Sequence, residues 1–149
     1  MKKSIKVLAV VLTLVVLVLS FSACTGEEGE FRIVVIRDGE VDEYVLDSTG
    51  SDMNYLIDAF VTLQSDTESE FSYALSGTFL SMVNGYTAVS SNNEFWAIYT
   101  DCEIDGLKYY DLSWGEVDYD GASFASALKG ITELPLNGGA TYIVKLSTY

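Results

Sequence analysis

Apolar and polar positions divide the chain into stretches of different period. Residues 31–37 (FRIVVIR) form a β-branched run, and residues 41–46 (VDEYVL) form a second. Asp38-Gly39 between them is a hairpin signal. Residues 48–52 are a turn cluster in which Ser51 or Asp52 is available as a helix N-cap. From residue 53 to 64 the period becomes helical, with Leu56, Ile57, Phe60 and Leu63 on one side and Val61 beside them. This predicts one amphipathic helix of about three turns.

Beyond a polar, acidic segment at 65–70 the chain reads as strands and loops. Residues 71–75 alternate, Gly77 breaks the run, and residues 78–83 end at the turn signal Asn84-Gly85. Residues 90–93 are a loop. Residues 94–100 (EFWAIYT) are the most apolar strand, with Phe95, Ala97 and Tyr99 on one face and Trp96 and Ile98 on the other. A strand apolar on both faces is expected to lie centrally and covered on both sides. Residues 122–130 are read as holding a helical turn. Asn137-Gly138-Gly139 leads into a last strand at 140–146. A hairpin, one helix and then several strands make an α+β domain, its helix on one face of a mostly antiparallel sheet.

The N-terminus reads as an address. Three lysines in residues 1–6 precede an apolar run at 7–19, and Phe21-Ser22-Ala23-Cys24 follows. That layout is a secretory signal, and the cysteine after two small residues makes it similar to a bacterial lipoprotein lipobox. The expected products are a signal peptide at 1–23, a diacylated Cys24, an acidic flexible tether at 24–30 and a domain at 31–149. A retained transmembrane anchor or ordinary secretion is the competing reading, and all place the domain outside the cytoplasm.

Charge and composition then narrow the chemistry. The 149 residues carry 22 acidic and 8 basic side chains, a net charge of −14, and no histidine. Removing residues 1–23 deletes three lysines and no acid, which leaves a net charge of −17. Nucleic acid is excluded as a partner because a phosphate backbone needs a basic face. An anionic membrane surface is likewise repelled, so membrane attachment rests on the lipid at Cys24. Without histidine there is no Ser-His-Asp triad, Cys-His pair or His-ligated zinc, and two cysteines cannot form a four-thiolate site. Cys102, flanked by Asp101 and Glu103, is expected to be a disfavoured thiolate. No phosphate-cradling glycine loop is present. The chain is therefore read as non-catalytic, with no cofactor.

Two local patterns compete with structural explanations. Asp101-x-Glu103-x-Asp105-Gly106 imitates the start of a calcium loop, but its twelfth position is Leu112 rather than a bidentate glutamate, which favours hairpin acidity. A calcium site using Asp118 and Asp120 stays open. The aromatic set Tyr73, Phe79, Trp96 and Tyr99 could line a ligand pocket, yet strand aromatics are more often core.

The segment FSYALSGTFLSMVNG (71–85), Phe95-Trp96 with Tyr99, GASF (121–124), Lys129-Gly-Ile and Asn137-Gly-Gly with Tyr142 occur in a telling order. Together they resemble the small C-terminal domain of transcobalamin and intrinsic factor, which recurs in Gram-positive lipoproteins and surface proteins. The resemblance spans residues 31–149 and implies a β-grasp-like fold grouped with ligand-binding modules. It further implies a ligand face at Gly77, Thr78, Phe79, Trp96 and Tyr99. The helical barrel that completes the corrinoid site in the vitamin carriers is not seen in this sequence. Two functions follow as expectations. One is lipid-anchored capture of a small, corrinoid-like ligand for a membrane transporter, at micromolar or weaker affinity (about −8 kcal/mol). The other is a surface adaptor for a protein partner, through the acid-and-aromatic stretch at 102–121.

Overall fold

A computed structural model describes residues 26–149. The leader, the lipobox with Cys24 and the first two residues of the tether lie outside the described residues. Among the described residues no helix is long and apolar enough to cross a membrane.

The first hairpin is β1 (Glu30–Arg37) and β2 (Glu40–Asp47), in unbroken register from Glu30↔Asp47 to Arg37↔Glu40. Asp38 and Gly39 have φ of 48° and 85°, the left-handed pair that a two-residue turn needs to match strand twist. Helix α1 (Leu56–Ser65) follows. Next come β3 (Tyr73–Ser76), β4 (Phe79–Val83) and β5 (Tyr86–Thr87), which form a small sheet of their own. Strand β6 (Glu94–Thr100) leads into a short hairpin of β7 (Glu103–Ile104) and β8 (Leu107–Lys108). Strands β9 (Tyr110–Tyr119), β10 (Ala122–Ala127) and β11 (Thr141–Thr148) complete the chain. The main sheet has the order β2-β1-β11-β6-β10-β9, and only β1 and β11 run parallel. The fold is α+β, with its helix on one face of a mostly antiparallel sheet.

The helix buries Leu56, Ala59, Phe60 and Leu63, while Ile57 is only half-buried and Val61 is exposed. These side chains meet Phe31, Ile33 and Val35 of β1, Trp96 of β6, and Tyr142 and Val144 of β11 in the main core. Phe60 packs edge-on against Phe71 and Tyr73, with ring centroids 5.0 and 5.3 Å away. The N-cap is Tyr55, not Ser51 or Asp52. The Asp58 carboxylate accepts the N–H groups of Asn54 and Tyr55, and the carbonyls of Leu134 and Ile131 accept those of Leu56 and Ile57. A distant loop thus satisfies donors that a local side chain was expected to take.

Val34 of β1 and Ile143 of β11, which alternate with residues of the main core, join Val117 of β9 and Phe124 of β10 in a second, smaller core on the face away from the helix. It is covered because the sheet curls. Tyr119, at the end of β9, donates its hydroxyl to Glu43 of β2 at 2.7 Å, and Arg32 of β1 lies 3.7 Å from Asp120. Strands at opposite ends of the sheet order therefore meet.

Several expectations are corrected. Strand β6 is central, but its second face is only partly covered: Phe95 is exposed beside Tyr149, while Ala97 and Tyr99 are half-buried. Residues 122–127 are strand rather than helical turn, and the turn falls at 130–134, where the Leu134 N–H reaches the Gly130 carbonyl. Gly77, with φ of 63°, does break the run, in a two-residue hairpin turn with Thr78, and the register shift of that strand pair lies at Ala74/Leu75. Residues 26–30 are bonded in rather than free: Gly138 and Gly139 donate their N–H groups to the Glu27 and Glu30 carbonyls. A Cβ on Gly26 would meet the Leu136 carbonyl oxygen at 2.0 Å. This segment docks through bare backbone, so its polar side chains carried no sign of it.

Candidate functional site

The five residues of the implied ligand face do not converge. Gly77 and Thr78 form the exposed tip of the β3–β4 hairpin, and Phe79 beside them is 77 % exposed. Trp96 is 7 % exposed in the main core, edge-on to Tyr86, and its indole N–H is buried without a hydrogen-bond partner. Tyr99 belongs to the second core, on the opposite face of β6. A single ligand cannot touch Trp96 and Tyr99 across the sheet. Of the aromatic set, Tyr73 and Trp96 are core and Phe79 is surface.

The structure assembles a different concavity along β2. Arg37, Val41, Asp42, Glu43, Tyr44, Ser69, Glu70 and Asn84 line a cleft of about 430 Å³. Its far wall is held by Asn84, placed by the left-handed turn it makes with Gly85. Asn84 exchanges backbone and side-chain bonds with Ser72, and its Nδ2 donates to Asp42 Oδ2 and to the Tyr44 hydroxyl, both at 2.9 Å. Burial raises the Tyr44 hydroxyl above the ordinary phenol range, and Asp42 and Glu70 push it further. Glu43 lies 3.8 Å from Arg32. Arg37 is paired with Glu40, which raises its pKa, and its guanidinium stands 5.5 Å from the Tyr86 ring centroid. The cleft is polar and acid-rich, and Glu40 engages its one cation. Sequence reasoning missed it, because the Asn84 contacts bridge some forty residues and leave no local signature.

The Cys102 thiol is buried, and burial is the largest cause raising its pKa; Asp101 adds a smaller push. The buried Tyr142 hydroxyl beside it is also raised, first by burial and then by Cys102. Cys102 is inert core. Asp101 accepts the Thr141 N–H at 2.7 Å, and Asp105-Gly106 is the tight turn of the β7–β8 hairpin. The calcium-like spacing is thus consumed by hairpin structure. Among the described residues no three His, Cys, Asp or Glu side chains are placed to hold a metal ion.

No family model matches the sequence, and no curated protein matches it. The fold is similar to the crystal structure of a protein from Ruminococcus gnavus described as a "putative metal binding protein", with a TM-score of 0.51 at 16 % identity. The match covers 82 % of this chain and 99 % of that one, and at that identity the likeness is one of fold.

Proposed function

We propose that this chain is an extracytoplasmic, lipid-anchored binding module without catalytic activity, and that its acidic surface engages a cationic partner. Its anchor is diacylglycerol on Cys24, for which the lysines, apolar run and lipobox of residues 1–24 are the support. Its frame is β-grasp-like, in keeping with a first hairpin, one α-helix and a last strand parallel to the first among the described residues. The similar Ruminococcus gnavus fold carries a binding description, which agrees with a binding role in general.

The observation that carries the reading is the cleft beside β2, lined by Asp42, Glu43 and Glu70 with Arg37 as its single cation, on a chain of net charge −14. Such a surface attracts cations and repels anionic partners. This favours the adaptor over corrinoid capture for a transporter, which rests on resemblance at Gly77, Thr78, Phe79, Trp96 and Tyr99. The test is titration of the full-length chain in detergent with polylysine, cobalamin and cobinamide. Saturable polylysine binding that weakens between 0.05 and 0.5 M salt, as screening requires (about 10 Å Debye length at 0.1 M), is expected. Binding of either corrinoid with none of polylysine would reverse the assignment. Mass spectrometry of the mature N-terminus should find lipid on Cys24.

A further inference from the structure

We propose that the free edge of β2 receives an extended, basic peptide segment of a partner protein as an added strand. The inference rests on the cationic-partner reading and specifies its mode. Strand β2 ends the main sheet, and among the described residues no strand pairs with the outer side of its backbone, although the Tyr119 hydroxyl reaches the Glu43 carboxylate there. Its register with β1 is continuous over all eight residues, so its outer backbone groups form a regular row. With Arg37 and Glu40 flanking a two-residue turn as a hydrogen-bonded pair, the alternation aims Val41, Glu43 and Val45 outward.

Sheet edges are commonly blocked by proline, lysine or a bulge. Strand β2 has no proline, lysine or bulge, and its one edge-protecting feature is acidic charge. Strand β9, at the other end, is broken: its pairing with β10 jumps from Glu116 to Asp111, and residues 112–115 loop out with Trp114 68 % exposed. One edge is disrupted and the other is regular.

The side chains specify the occupant. Strand β2 carries Glu40, Asp42, Glu43 and Asp47 and no cation, so pairing with a second copy would place like charges together. A basic strand meets the opposite situation. Val41 and Val45, 48 % and 54 % exposed, offer apolar contacts to every second residue of the incoming strand. Asp42 and Glu70 in the adjoining cleft take its lysine or arginine heads. Main-chain bonds supply the affinity and the alternate side chains the selectivity.

The probe is a capped peptide of alternating valine and lysine, matched to the eight residues of β2, added to the full-length chain in detergent. Two further peptides carry N-methyl groups on alternate residues, one in each phase, which removes N–H donors while keeping every charge. The unmodified peptide is expected to bind saturably and to slow amide exchange at Val41, Glu43 and Val45. One methylated phase should bind about tenfold more weakly and the other nearly normally, because only one set of amides faces β2. Val45→Pro should abolish binding, and Val45→Lys should weaken it while keeping the backbone donor. Equal binding of all three peptides with unchanged exchange along β2 would overturn strand addition and leave a charge-only partner. No binding of any of them would overturn the cationic-partner reading as well.

Discussion

Tyr142→Phe removes one oxygen from the centre of the domain and nothing else. The ring is fully buried, edge-on to Phe31 at 6.1 Å, and phenylalanine keeps that packing, so no cavity opens. The hydroxyl donates to the Pro135 carbonyl at 2.8 Å and accepts the Asn137 N–H at 2.9 Å. Losing the first bond costs about 1 kcal/mol, softened because the Cys102 thiol also approaches that carbonyl, at 3.5 Å. Stranding the part-buried Asn137 N–H costs about 1–2 kcal/mol more. The expected loss is therefore about 2–3 kcal/mol, or about 8–12 °C in Tm for a domain of this size. Urea unfolding with an unchanged m-value would measure it. Cys102→Ala combined with Tyr142→Phe should be non-additive, because both side chains share the Pro135 carbonyl. A loss below about 0.5 kcal/mol would show that water replaces the hydroxyl and would refute the reasoning.

Three other outcomes are expected. Phe79→Ser should shift stability by no more than about 0.5 kcal/mol, because the ring is exposed, whereas Phe60→Ala should cost about 3–5 kcal/mol in the same unfolding assay. Gly121→Ala should cost about 1–2 kcal/mol by calorimetric Tm, because Gly121 follows Asp120 in a turn with both φ positive (78° and 49°). Stability should be flat at neutral pH and fall above about pH 8.5–10, where the unfolded thiol and phenol ionise. Cys102 and Tyr142 have raised folded-state pKa values, so the native state keeps protons that the unfolded state loses. Each contributes a slope of about 1.4 kcal/mol per pH unit there, and Cys102→Ala should shallow the decline in a pH series of melts.

Local patterns determined much of the scaffold. Asp38-Gly39 and Asn84-Gly85 mark turns because only residues tolerant of positive φ fit them, and both have it. The helix was legible in Leu56, Phe60 and Leu63, since a 3.6-residue period is written directly into the sequence. The class followed from the order of these elements. The N-cap was not legible, because Tyr55 is completed by backbone carbonyls some 75 residues away. Nor was the docking of residues 26–30, which glycine backbone accomplishes without any side-chain signal.

The tertiary structure alone decided where function can sit. Trp96 and Tyr99 lie close in sequence, but strand alternation sends Trp96 into the main core and Tyr99 onto the partly covered second face. Asp42, Glu70 and Asn84 are scattered in sequence, and the small β3–β5 sheet brings them to one cleft beside β2. Whether a strand ends a sheet is likewise a property of the whole topology. The parallel pairing of β11 with β1 places β2 outermost and leaves the outer backbone of that acidic strand without a strand partner. Sequence period specifies which side chains share a face, and long-range pairing settles what each face meets.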